Sequence, residues 1–325
     1  MKRAIAALIG ALALGPCLAD PLPSWNNTGS KAAIIDFVES VTDKDADTFV
    51  PAEDRIAVFD NDGTLISEQP MYFQAAYALD RLREKAAEDP SILESDVLKA
   101  ANEGDMKGMM AGGMEGLSEI INVSHAGMSV EEFQADARAW LASTEHPTSG
   151  LTYGDMIFQP MVELLTYLRD QNFKVYIVTG GGVDFVRAFA EDAYNVPPEQ
   201  VVATLGNTEY QISEGGTPML MKTGGIFFID DKAGKPVGIM RGIGKRPVMA
   251  VGNSDGDFQM LEWTTAGAGP RLGMLLHHTD GEREFAYDRD SHFGKLADGL
   301  DQAGDRGWVL VDMANDWETV WTGNQ

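Results

Sequence analysis

Apolar residues follow two rhythms along this chain. Short uninterrupted runs occur at Ile56–Phe59 (IAVF) and inside KVYIVTGGG, RPVMAVG, RLGMLLHH and GWVLVDM, and each reads as a buried strand. Other segments place apolar residues at helical spacing, as Ile34, Ile35, Val38 and Val41 do in KAAIIDFVESVT. YFQAAYALDRLREKAA, SVEEFQADARAWLAS, MVELLTYLRDQNF and DFVRAFAEDAY also read as helices, with Ser129 and Glu132 spaced for a capping box. From Gln69 to about Glu145 the pattern is helical throughout, and GDMKGMMAGGMEGL within it reads as a helix junction with adaptable Met packing or as a lid. Residues 201–231 carry three β-type runs, VVATL, TEYQI and GGIFFID. Strands alternating with helices predict an α/β fold, a mostly parallel sheet covered on both faces.

Several strands end in polar residues where the chain turns toward a helix. Asp60 and Asp62 follow the first, Thr179 to Gly182 close the second, and Asn253 to Asp257 follow the third. In open parallel sheets ligands sit at that carboxyl edge, so these loops are expected to meet. Two carboxylates at the mouth of a buried strand repel one another, and they require cations or dipoles opposite.

Asp60-Asn61-Asp62-Gly63-Thr64 resembles the first motif of the haloacid dehalogenase superfamily, whose members mostly hydrolyse phosphate esters. The resemblance implies a Rossmann-like three-layer core with a helical cap inserted after the first motif. It implies Asp60 as the nucleophile that forms an aspartyl-phosphate and Asp62 as general acid and base. Thr179 matches the second motif and would bind phosphoryl oxygens with the N–H groups of Gly180 and Gly181, aided by the following helix. Lys235, opening a helix as Lys-Pro, matches the third motif better than Lys232 and would neutralise the Asp60–phosphate charge.

The fourth motif, VGNSDGDFQML, departs from the family pattern. The position that usually carries the first metal-binding acid is Asn253, and the second acid is Asp257. The implied Mg²⁺ set is Asp60, Asp62, Asn253 and Asp257, with Asp255 or Asp257 as candidates to make up the lost charge. The second aspartate of the first motif favours phosphoryl transfer over dehalogenation. The helical insert and TGGGVDFVRAFAEDAYNVPPEQVVAT are similar to the phosphoserine-phosphatase-like branch. The expected layout is a core part at 20–66, a cap at 67–148 and the rest of the core at 149–325. Glu68 lies one place from the branch's amine-binding glutamate and is a candidate substrate contact. His277 and His278 end a strand at the same edge, and Arg81, Arg83, Lys85, Lys99, Lys107 and Arg138 are basic cap residues read mainly as solvated or paired.

Composition narrows the partners. The 325 residues hold 25 basic and 50 acidic side chains, a net charge of −25, which argues against nucleic acid or anionic membranes as ligands. MKRAIAALIGALALGPCLAD has a basic start, a short apolar run and small residues, and reads as a secretory signal peptide cut after Ala19. Cleavage would remove the only cysteine, Cys17, and with it any thiolate or disulfide chemistry. The apolar run is too short for a membrane span. A lipoprotein anchor on Cys17 fits less well, since Pro16 precedes it. Together with the resemblance, these features imply an exported, periplasmic phosphomonoesterase acting on a small-molecule phosphate ester. A phosphotransferase, or a non-catalytic phosphate-ester-binding protein, are the alternatives.

Overall fold

The computed structural model describes residues 20–323. The stretch read as a signal peptide lies outside them. The elements run α1 (Gly29–Thr42), β1 (Ile56–Phe59), α2 (Phe73–Glu88), α3 (Asp96–Glu103), α4 (Met106–Ala111), α5 (Gly113–His125), α6 (Val130–Ser143) and α7 (Gln159–Asp170). There follow β2 (Lys174–Gly182), α8 (Val183–Arg187), α9 (Ala190–Tyr194), β3 (Val201–Ile212), β4 (Pro218–Phe228) and α10 (Gly234–Gly242). The chain then forms β5 (Met249–Gly252), α11 (Phe258–Thr265), β6 (Leu272–His277), α12 (Asp298–Arg306), β7 (Val309–Asp312) and α13 (Met313–Asp316).

The strands form one sheet in the order β4-β3-β2-β1-β5-β6-β7. Every neighbouring pair is parallel except β3 and β4, which form a long antiparallel hairpin. VVATL and TEYQI, read as separate runs, are one strand of that hairpin. The chain leaves β1 toward β2 and β3, then returns to its other side at β5. The gap between the ends of β1 and β5 is therefore a topological switch point, where α/β sheets bind ligands.

Alternation along β1 explains the layers. Ala57 and Phe59 join the core beneath α1 and α7, whereas Ile56 and Val58 join a second core beneath α10, α11 and α12. All four residues are buried, as a central parallel strand requires. The segment read as helical throughout is α2 to α6. Its aromatic side chains Phe73, Tyr77, Phe133 and Trp140 continue the first core, while α2, α3 and α5 share a small core of their own. The Ser129–Glu132 capping box forms in full at the start of α6.

One helix differs from its expected form. DFVRAFAEDAY breaks into α8 and α9 because Phe189 leaves the helical region at φ −136°. Each piece has five residues, and β2 itself runs on through Gly182. The helix dipole expected behind Thr179 is correspondingly short.

Candidate active site

The loop after β1 is built tightly. The carbonyl of Asn61 accepts from the N–H groups of Thr64, Leu65 and Ile66, and Gly63 N–H donates to the carbonyl of Ile66 at 2.7 Å. Gly63 has φ +72°, and a Cβ there would stand 2.1 Å from Asn253 Nδ2, so only glycine closes this turn. The turn brings the Asp60 and Asp62 side chains to one cavity of about 230 Å³. Thr179, Gly180, Gly181, Lys235 and Glu68 line the same cavity.

Lys235 enters from the second position of α10 and is only 2% exposed. Its Nζ donates to Asp60 Oδ1 at 2.6 Å and to Asp257 Oδ1 at 2.5 Å. Two adjacent carboxylates hold this ammonium firmly protonated despite its burial. Lys232 points elsewhere: it is exposed on a positive-φ turn. Burial, then the Asp257 charge, push the Asp60 carboxyl well above its ordinary range, and Lys235 opposes both. Burial also raises Asp62, to about 6.

Thr179 Oγ1 accepts from Gly181 N–H at 3.1 Å, and Gly182 N–H donates to Gln74 Oε1 at 2.7 Å. The Gly181 and Gly182 amides are thus already engaged, while the Thr179 hydroxyl proton can turn to an incoming anion. Gly181 N–H, expected beside Gly180 to meet phosphoryl oxygens, donates instead to Thr179 Oγ1.

Asp257 differs from its expected place on the metal. It is fully buried, its Oδ1 is taken by Lys235, and its Oδ2 accepts from the N–H groups of Asn253 and Ser254 at 2.9 and 3.0 Å. This carboxylate anchors Lys235 and its own loop, and both its oxygens are committed. Asp255 faces away, accepting from the N–H groups of Ala297 and Gly299 near the start of α12. Asn253 accepts from the Thr64 hydroxyl at 3.2 Å and donates through Nδ2 to Glu68 Oε1 at 2.6 Å.

The segment after β6 supplies residues that the sequence did not assign. Tyr287 donates its hydroxyl to Glu68 Oε1 at 2.7 Å. Its ring stacks on His278, 4.4 Å between centroids. His278 Nε2 lies 2.7 Å from the Gly63 carbonyl and its Nδ1 3.1 Å from Glu284, which also accepts from the Ser67 hydroxyl. His278 therefore braces the first loop from behind rather than facing the cavity, and His277 lies 3.3 Å from Asp288. Tyr72, Gln74, Asp231 and Ser254 also line the cavity. None of the basic cap residues lines it. Arg81, Arg83 and Lys99 pair with nearby carboxylates, Lys85 donates to the carbonyls of Val123 and Ala126, and Arg138 to that of Ala188.

A second cavity of about 130 Å³ shares Gln74, Leu117, Ile121, Gly180 and Ile229 with the first. It lies between α5 and the β3–β4 hairpin. Its one lysine, Lys222, is bonded to Asp184. His125 there is held neutral, its pKa lowered to about 3 by burial.

The haloacid dehalogenase-like hydrolase family matches residues 57–262, which span all four loops. This chain belongs to that family. Solved structures agree on the fold: a protein of unknown function from Bordetella pertussis Tohama I is similar at 20% identity, TM-score 0.52, over 80% of this chain and 98% of that one. A functionally unknown protein from Anaerococcus prevotii DSM 20548 is similar at 17% identity and TM-score 0.52, over 80% and 88% of the two chains. A phosphoserine phosphohydrolase-like protein from Francisella tularensis subsp. tularensis SCHU S4 is more distant, at 16% identity and TM-score 0.38 over 77% and 98%. No curated protein matches the chain.

Proposed function

We propose that this hydrolase is a phosphomonoesterase acting on a small phosphate ester through an aspartyl-phosphate, with Mg²⁺. The observation that carries the reading is the convergence of Asp60, Asp62, Thr179 and Lys235 on one cavity at the switch point of the sheet. Asp60 Oδ1 is held by Lys235, and no described residue donates a hydrogen bond to Oδ2, so it is the oxygen placed to attack phosphorus. As the P–O bond to the leaving alcohol breaks, Asp62 gives that oxygen its proton. Asp62 then takes a proton from water, whose oxygen attacks the aspartyl-phosphate and releases phosphate and Asp60. A carboxyl raised to about 6 is suited to both transfers near neutral pH. Lys235 offsets the charge that gathers on Asp60 and the phosphoryl oxygens.

The donor chemistry fits Mg²⁺. Among the described residues no three acidic, His or Cys side chains already stand in metal-binding geometry. The carboxylates lining the cavity, Asp60, Asp62, Glu68 and Asp231, are hard oxygen donors, and among the described residues Lys235 is its one lining cation. Asp60, the main-chain carbonyl of Asp62 and the side-chain oxygen of Asn253 would hold the ion. When bound, it offsets the negative charge of the phosphate.

The N-terminal stretch supports export, with the periplasm as destination. No described helix is long and apolar enough to cross a membrane. The test is release of phosphate from an aryl phosphate, with Mg²⁺ and with chelator, beside Asp60→Asn. Metal-dependent release that disappears in the variant supports the reading. Turnover unaffected by Asp60→Asn would sink it, and transfer of phosphate to an added alcohol in preference to water would make the protein a phosphotransferase.

A further inference from the structure

We propose that Glu68 supplies, at the Mg²⁺ position, the carboxylate that Asn253 lacks; the inference rests on the metal-dependent reading above. The two acids of the fourth loop are spoken for: Asp257 by Lys235 and its own loop, Asp255 by N–H groups near α12. Glu68 is 1% exposed and lines the same cavity as Asp60 and Asp62. Its Oε1 accepts from Asn253 Nδ2 at 2.6 Å and from the Tyr287 hydroxyl at 2.7 Å. Among the described residues, none donates a hydrogen bond to Oε2.

The fold makes room for this carboxylate from two sides. Gly63 and Gly294 both have positive φ, and a Cβ would stand 2.3 Å from Oε1 at the first and 1.7 Å at the second. Glu68 lines the cavity, so a cation bound there can reach its uncommitted oxygen. Lys235 is already shared between Asp60 and Asp257. Glu68 and Asn253 also form a matched pair, because an aspartate at 253 would set two carboxylates where the amide now donates. In this chain the negative charge of the pair sits on Glu68 and not on residue 253.

The experiment is calorimetric titration of Mg²⁺ and Mn²⁺ into wild type, Glu68→Gln, Asn253→Asp and the double variant, with melting temperatures with and without metal. Glu68→Gln is expected to weaken binding roughly 10–100-fold. Adding Asn253→Asp to it should restore most of the loss. Asn253→Asp alone should lower the metal-free melting temperature and enlarge the rise that Mg²⁺ brings. Unchanged affinity in Glu68→Gln, a double variant no tighter than that single one, or no divalent binding by wild type would each overturn the proposal. If Glu68→Gln does not fold, Asn253→Asp decides: no change in metal-free melting or in metal affinity refutes the pairing. Binding is read without turnover, so failure of the phosphatase reading is seen separately.

Discussion

Lys235 Nζ stands 2.5 Å from Asp257 Oδ1 and donates from there to Asp60. The ammonium that steadies the attacking carboxylate is thus itself fixed by a third residue, which never reaches the cavity. Removing the charge by Lys235→Met should lower kcat by at least ~10²-fold, the usual scale for losing one aimed electrostatic group. It leaves Asp60 and Asp257 facing without a counter-charge, so stability falls as well. Asp257→Asn should cost roughly 3 kcal/mol, the low end for breaking a buried pair, since Lys235 keeps Asp60. Denaturant melts and steady-state rates on both variants check this; an Asp257→Asn enzyme of wild-type stability and rate would show that Lys235 needs no anchor.

Much of this architecture is legible in the residues because it is local. The apolar runs of β1 and β2, the turn at Gly63 and the lysine before Pro236 each sit within a few positions of the chemistry they serve. What escapes is joined across long separations. Tyr287 reaches Glu68, and Glu284 reaches Ser67, from a stretch with neither helical nor alternating rhythm. Nothing nearby in sequence marks them, and only the return of the chain past β6 brings them in. Asp257 escapes differently: an acid four places after Asn253 has the right spacing for a metal ligand, but its side chain turns back onto its own loop amides.

Asp62 offers a kinetic signature. Its acid form is needed to protonate a poor leaving group, so with an alkyl phosphate kcat/KM should fall as pH rises through about 6. A nitrophenyl phosphate leaves without that proton, and its first step should be far less sensitive. Asp62→Asn should therefore release nitrophenolate in a burst and then stall, since the base for water is gone. Rapid-quench kinetics with mass detection of a phosphorylated chain tests this. Equal loss of burst and steady state would assign Asp62 to binding instead.

The second cavity bears on selectivity. Among the described residues, the cations lining the two adjoining cavities are Lys222 and Lys235, each already paired with a carboxylate, and His125 is neutral. A leaving group with a carboxylate would find no free counter-charge there, whereas Leu117, Ile121 and Ile229 favour an apolar body. An ester of an uncharged alcohol should exceed phosphoserine in kcat/KM by about tenfold or more, the worth of roughly 1.4 kcal/mol. A substrate panel at fixed Mg²⁺ measures it. Phosphoserine as the better substrate would mean that one of the two ion pairs opens on binding.

Asp230 gives a prediction about stability alone. It is fully buried beside α10, and neither carboxyl oxygen has a partner among the described residues. Burial raises it to about 7, with Asp231 adding to the shift and Lys235 opposing it. In the unfolded chain it returns to about 3.8, so between these values the folded state binds the extra proton. Stability from this group is therefore lost as pH rises from about 4, and the loss is complete above about 7. Asp230→Asn removes the titration. Its melting temperature relative to wild type should climb across that window and then level, by roughly 2–4 °C for each kcal/mol released. Melts at pH 5 and pH 8 decide it: a difference between the two proteins that is the same at both pH values would mean that Asp230 is ionised throughout and is met by a charge or by water.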